Sequence, residues 1–222
     1  MSVEDIPESW PVESTTEQFK SWLLSVRTDQ VRFPDNHSAE RIVASHPGAV
    51  AVVALDDGDR VLMIRQYRHP VGRLLWEIPA GLRDVDGEPL LDTAKRELLE
   101  ETGYTAREWH ALTDYFTSPG FSTERIRVFL ARGLEDAGDT GYQREHEEKF
   151  LEFDWVPLDE AVRLVLAGKL HNSSAVTGIL ATHAAQAGGF ASLRPADAPE
   201  ELSRGHGSRK DGPALPLASI PV

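Results

Sequence analysis

Two apolar runs set four residues apart constrain the fold of this chain more than anything else in it. "GAVAVVAL" (48–55) and "RVLMIRQYR" (60–68) are rich in β-branched and aliphatic side chains, and "DDGD" (56–59) lies between them. Such runs, bounded by Asp and Gly, read as two strands joined in a hairpin. The longest apolar stretch, "AVAVVAL" (49–55), is also far shorter than the about 20 residues a membrane-spanning helix needs.

Further elements follow on either side. "DQVRF" (29–33) alternates in the period-2 manner of a strand, and residues 1–46, broken by "FPDNHS" (33–38), read as two or three strands. "LLWEIPAG" (74–81) is a short strand ending at a Pro/Gly break, and a helix spans 91–103. Strands fit 108–116, 124–132 and 149–156. Two helices follow, "LDEAVRLVLAG" (158–168) and "NSSAVTGILATHAAQAG" (172–188), the second opening on Asn172 or Ser173 as N-cap. After 188 the composition shifts to Gly, Pro, Ala, Ser and Asp, as in a flexible tail. The expected organisation is an N-terminal β region (1–46), a domain with a mixed β-sheet between helices (47–188), and the tail (189–222).

Composition narrows the function. A formal net charge of −13 argues against non-specific binding to nucleic acid or anionic membranes. With no cysteine, disulfides, thiolate nucleophiles and cysteine-bound zinc are excluded. "MSVEDIPESW" lacks the basic-then-apolar layout of a signal peptide, so a cytoplasmic protein is expected.

The helix at 91–103 carries an unusual charge pattern. Leu91, Ala94 and Leu98 share one face, and Glu97, Glu100 and Glu101 crowd a neighbouring arc. Like charges at that spacing repel by a few tenths of a kcal/mol per pair, roughly, and the macrodipole disfavours anions in the last turn before the helix stop at Gly103. Two readings compete: a solvated acidic face partly offset by Lys95 and Arg96, or a site for a hard divalent cation, with Mg²⁺ the natural candidate.

"GLRDVDGEPLLDTAKRELLEETGY" (81–104) resembles the Nudix box, G-x5-E-x7-R-E-U-x-E-E-x-G-U, with U a bulky apolar residue. Every fixed position from Glu88 onward fits, Tyr104 being an aromatic variant at the last, whereas Gly81 precedes Glu88 by six intervening residues rather than five. The resemblance implies a Nudix-type α/β/α sandwich and Mg²⁺- or Mn²⁺-dependent hydrolysis of a nucleoside diphosphate linked to another group. It makes Glu97 and Glu101 the central metal ligands, supported by Glu100 and the Ala80 carbonyl, with Arg96 pairing Glu88 or Glu100. A general base is sought on a downstream loop. In "GYQREHEEKF" (141–150) Glu148 is the first candidate and Glu147 the second; His146 reads as ordinary surface.

Pro119 in "TSPGFSTER" (117–125) resembles a mark of the ADP-ribose pyrophosphatase branch, and similarity to that branch extends over most of 20–188. It implies that Arg68 of "QYRHP" reaches the ligand phosphates, that Arg41 and Glu77 hold ligand-contact positions, and that the protein is a homodimer in which N-terminal strands cross to the partner. Trp76 reads as core rather than as an adenine platform. The leading expectation is hydrolysis of ADP-ribose to AMP and ribose 5-phosphate. Another nucleoside diphosphate sugar such as GDP-mannose, or a non-catalytic ADP-ribose sensor, are the alternatives.

Overall fold

The computed structural model describes residues 3–138 and 149–203, and these fall into two compact units. The first takes its described residues from 1–47, 118–124 and 200–203. In it β1 (Val12–Lys20), β2 (Ser25–Arg32) and β3 (Ser38–Ser45) form an antiparallel sheet in that order. The 118–124 segment joins β3 through Ala44 N–H to the Phe121 carbonyl (2.7 Å) and Thr123 N–H to the Ala44 carbonyl (3.0 Å).

The second unit, drawn from 48–117 and 125–199, contains β4 (Ala49–Ala54), β5 (Arg60–Arg68), β6 (Arg73–Glu77), β7 (Ala80–Leu82), α1 (Leu90–Thr102), β8 (Tyr104–Phe116) and β9 (Arg125–Asp136). It continues with β10 (Glu152–Pro157), α2 (Leu158–Leu166), α3 (Ser173–Ala187) and β11 (Arg194–Pro195). A mixed sheet runs β11-β8-β9-β4-β7, with β4 and β9 parallel, and an antiparallel sheet runs β10-β5-β6.

Strand β4 organises the core. Val50, Val52 and Ala54 pack with Ala94 and Leu98 of α1, while Ala51 and Val53, with Leu55 beyond the strand, pack with Ala161 of α2 and Ala175 and Ile179 of α3. A strand covered on both faces is apolar at consecutive residues, and the helices form the outer layers of the expected sandwich. On the α3 side the approach is close: a Cβ on Gly178 would lie 2.8 Å from Val53 Cγ2.

The expected hairpin forms only at its neck. Asp56 N–H reaches the Arg60 carbonyl (3.0 Å) and Leu55 bridges Val61, but β4 and β5 then enter different sheets. Both edges of β4 are taken, by β9 and β7, so β5 has no place beside it. "LLWEIPAG" likewise divides into two strands. β6 pairs with β5 and β7 with β4, and between them Pro79, which has no N–H to give, accepts Val52 N–H on its carbonyl (2.8 Å).

Helix α3 starts as expected, Asn172 accepting Ala175 N–H on its side chain (2.9 Å). Beyond it Phe190 and Leu193 pack on the α2/α3 layer, and β11 pairs with His110 and Ala111 of β8. Buried Arg127 donates a two-pronged pair to Asp114 (2.6 and 3.0 Å) and further bonds to the carbonyls of Ala198 (2.6 Å) and Pro199 (3.0 Å). Arg194 adds a second cation 2.9 Å from Asp114. Among the described residues, no helix is long and apolar enough to cross a membrane.

Candidate functional site

Helix α1 closes at Gly103, whose φ of 77° is the left-handed conformation glycine adopts freely and whose N–H caps the Leu99 carbonyl at 2.8 Å. Ala94 and Leu98 are fully buried, as their spacing predicts, whereas Leu91 is only half-buried. Thr93 and Glu101 are buried too. The acidic residues are therefore not a solvated face: Glu101 is 6% exposed, and the side chains of Glu97 and Glu100 are 14% and 26% exposed.

Strand β7 is what they press against. Glu101 Oε2 accepts the Ala80 N–H at 2.9 Å. A Cβ on Gly81 would fall 1.9 Å from Glu97 Cδ, so the carboxylate occupies space that any other residue's side chain would fill. The pairing of Ala51 with Ala80 and Val50 with Gly81 joins β7 to the central strand, so the wall behind the carboxylates is part of the sheet.

Arg96 gathers the acids. Its Nε and Nη2 donate to Glu88 (3.3 and 3.1 Å), and its Nη1 donates to Glu97 (2.7 Å) and Glu100 (3.3 Å). The guanidinium thus meets both partners between which the sequence left the choice open. Its hydrogen bonds hold the Glu88 carboxyl below the usual range, with Thr93 assisting against the cost of burial. Glu97 goes the other way, up to about 7: burial is the main cause, Glu100 and Asp84 add to it, and Arg96 only partly compensates. The arrangement leaves a buried carboxylate short of positive charge.

That donor set fits a hard divalent cation. Carboxylate oxygens are the ligands Mg²⁺ and Mn²⁺ take, and a cation supplies the charge Glu97 lacks. Among the described residues, no three His, Asp or Glu side chains already stand as a ready-made cluster, since Arg96 lies between Glu97 and Glu100.

The other expected residues are placed as follows. Arg68 donates a two-pronged pair to Glu77 (2.8 and 2.6 Å), and Glu77 is 1% exposed. Arg41 belongs to the other unit, where its guanidinium lies 4.9 Å from the Phe33 ring centre and donates to the Glu40 carbonyl (2.8 Å). Pro119 sits in the turn of the 118–124 segment, also in that unit. Trp76 packs against the core as expected. His146, Glu147 and Glu148 lie outside the described residues. Two participants escaped the sequence reading: Thr93, within bonding distance of Glu88 (2.9 Å), and Asp84, 3.6 Å from Arg96. The six-residue spacing between Gly81 and Glu88, which contains Asp84, was the available signal for the second.

Residues 45–176 match the NUDIX domain family. The chain belongs to the Nudix family. The Nudix signature is thus the segment built from β7, the following loop and α1. An ADP-ribose pyrophosphatase of Mycobacterium tuberculosis is 49% identical over 79% of this chain and 83% of its own length. An ADP-ribose pyrophosphatase of Bacillus subtilis is 37% identical over 72% of this chain and 85% of its own. A crystal structure described as an ADP compounds hydrolase shares the Nudix fold at a TM-score of 0.68, covering 84% of this chain and 98% of that one at 20% identity.

Proposed function

We propose that this Nudix protein hydrolyses ADP-ribose, adding water across the pyrophosphate to give AMP and ribose 5-phosphate, with Mg²⁺ (or Mn²⁺) as cofactor. The observation that carries the reading is the set of largely shielded glutamates: Glu97 pressed against Gly81 and tied to Glu100 through Arg96, and buried Glu101 held by the Ala80 N–H. The names of the two pyrophosphatase relatives supply the substrate.

Glu97, Glu100 and Glu101 would hold the cation, together with the Ala80 carbonyl. When bound, such an ion neutralises phosphate oxygens and acidifies a water. The chain's own residues do the rest. Arg96 keeps two of the carboxylates from swinging into solvent, and Glu101 is oriented by the Ala80 N–H. Arg68, steadied by Glu77, presents a guanidinium suited to phosphate oxygens. Glu148, or failing it Glu147, takes the proton from the attacking water, while Arg41 and Pro119 are assigned to the substrate side.

The test is incubation with Mg²⁺ and a panel of nucleoside diphosphate derivatives. AMP and ribose 5-phosphate from ADP-ribose are the expected products; GMP from GDP-mannose, or binding without products, would replace this reading. Glu148→Gln should lower kcat by about 10²–10⁴, the range for a general base, and unchanged turnover would remove that assignment. We also assign the protein a homodimeric, cytoplasmic state. All nine residues of β1 are exposed, Val12 and Phe19 among them, which is surface a second copy would cover. Sedimentation giving only monomer at micromolar concentration, with full activity, would overturn the dimer.

A further inference from the structure

Thr93 lies between Glu88 and Arg96 and is none of the fixed positions of the Nudix box. It is 1% exposed, and β-branched threonine is a mediocre helix former at a buried place where alanine would serve. Its side chain has a single proton to donate. Two acceptors lie within reach, Glu88 Oε2 at 2.9 Å and the Pro89 carbonyl at 3.3 Å; the nearer one is also charged, which makes it the stronger bond.

Glu88 sits in the loop before α1, its side chain 18% exposed and therefore able to turn toward water. Three donors hold it: the Thr93 hydroxyl and the Nε and Nη2 of Arg96. The hydroxyl and Nη2 share one carboxylate oxygen, which leaves the other aimed at Nε. With that edge of the guanidinium fixed, Nη1 points between Glu97 and Glu100.

We propose that Thr93 is a positioning residue for metal binding: through Glu88 and Arg96 its hydroxyl sets the placement of the Glu97 and Glu100 carboxylates. The inference rests on the metal-dependent reading above. Thr93 is not among the groups assigned to substrate or cation; its hydroxyl bonds Glu88. Its effect is transmitted, as with groups behind metal ligands in general, whose loss typically costs roughly 10–100-fold in affinity or activity.

The experiment compares full-length wild type, Thr93→Val and Thr93→Ser by Mn²⁺ titration followed by electron paramagnetic resonance, with steady-state kinetics on ADP-ribose alongside. Valine keeps the shape and loses the hydroxyl; serine keeps the hydroxyl and loses the methyl. Mn²⁺ affinity should fall about tenfold in Thr93→Val, the low end for such partners, with kcat falling more than KM rises; Thr93→Ser should come within about twofold of wild type. The thermal midpoint of the metal-free variants reports folding separately. Wild-type Mn²⁺ affinity in Thr93→Val, or equal impairment in both variants, overturns the proposal, since the second outcome assigns Thr93 to methyl packing. Absence of Mn²⁺ binding by the wild type overturns the metal reading itself, and this proposal with it.

Discussion

Gly81 and Glu97 compete for one small volume, and the competition explains why a strand contains a glycine with no turn to make. No unusual backbone angle is needed there; what is needed is the missing Cβ, which would stand 1.9 Å from Glu97 Cδ and 2.2 Å from Oε1. Gly81→Ala must therefore push Glu97 away or pull β7 off β4. Overpacking of this kind costs about 1–3 kcal/mol. If Glu97 holds the cation as proposed, the carboxylate's displacement should lower kcat at least about tenfold, because its placement is lost along with stability. Thermal unfolding with and without Mg²⁺ checks both parts: the metal-free midpoint should drop modestly, and the rise on adding Mg²⁺ should largely vanish. A Gly81→Ala protein with wild-type kcat would show that Glu97 has room the structure denies it.

At the level of elements, what could be read in the sequence depended on how local the deciding interaction was. Helix α1 was legible because its period, its stop at Gly103 and its fixed acidic positions all lie within one short segment. The Asn172 cap was legible for the same reason. The separation of β4 from β5 was not, because alternation and β-branching identify a strand but not its neighbour. That was decided by β9, which begins some seventy residues further on, pairing in parallel along β4. "LLWEIPAG" reads as one strand for a related reason: nothing within it says that its halves pair with different partners. Within the site, Arg96 could be assigned from the box, yet the burial of Glu101 depends on the Ala80 N–H across from it, and the Thr93 hydroxyl matters only because the loop folds Glu88 back over the helix.

Across the whole second unit, the cluster of Asp114, Arg127 and Arg194 ties the last residues of that unit to the sheet. Burial alone would raise the Asp114 pKa, but hydrogen bonds and charge from Arg127 and Arg194 outweigh it and hold the group below its ordinary 3.8. A carboxyl whose folded pKa is depressed contributes stability that is complete above the ordinary value and is lost as pH falls through the folded one. Wild-type stability should therefore decline in the acid range below about pH 4. Asp114→Asn, which strips Arg127 of its buried counter-charge, should cost about 3–5 kcal/mol near neutrality and show a shallower acid decline. Urea titrations of both proteins across that range decide the matter, and superimposable acid limbs would rule out Asp114 as a contributor. The same cluster also sets an order of events during synthesis. The Nudix signature is complete once Tyr104 has left the ribosome, but the Arg127 bonds reach partners 71 and 72 residues downstream. Until Pro199 emerges, the nascent protein already holds its Nudix segment while the Arg127 guanidinium still waits for its last two acceptors, which a stretch that looks unstructured on paper must supply.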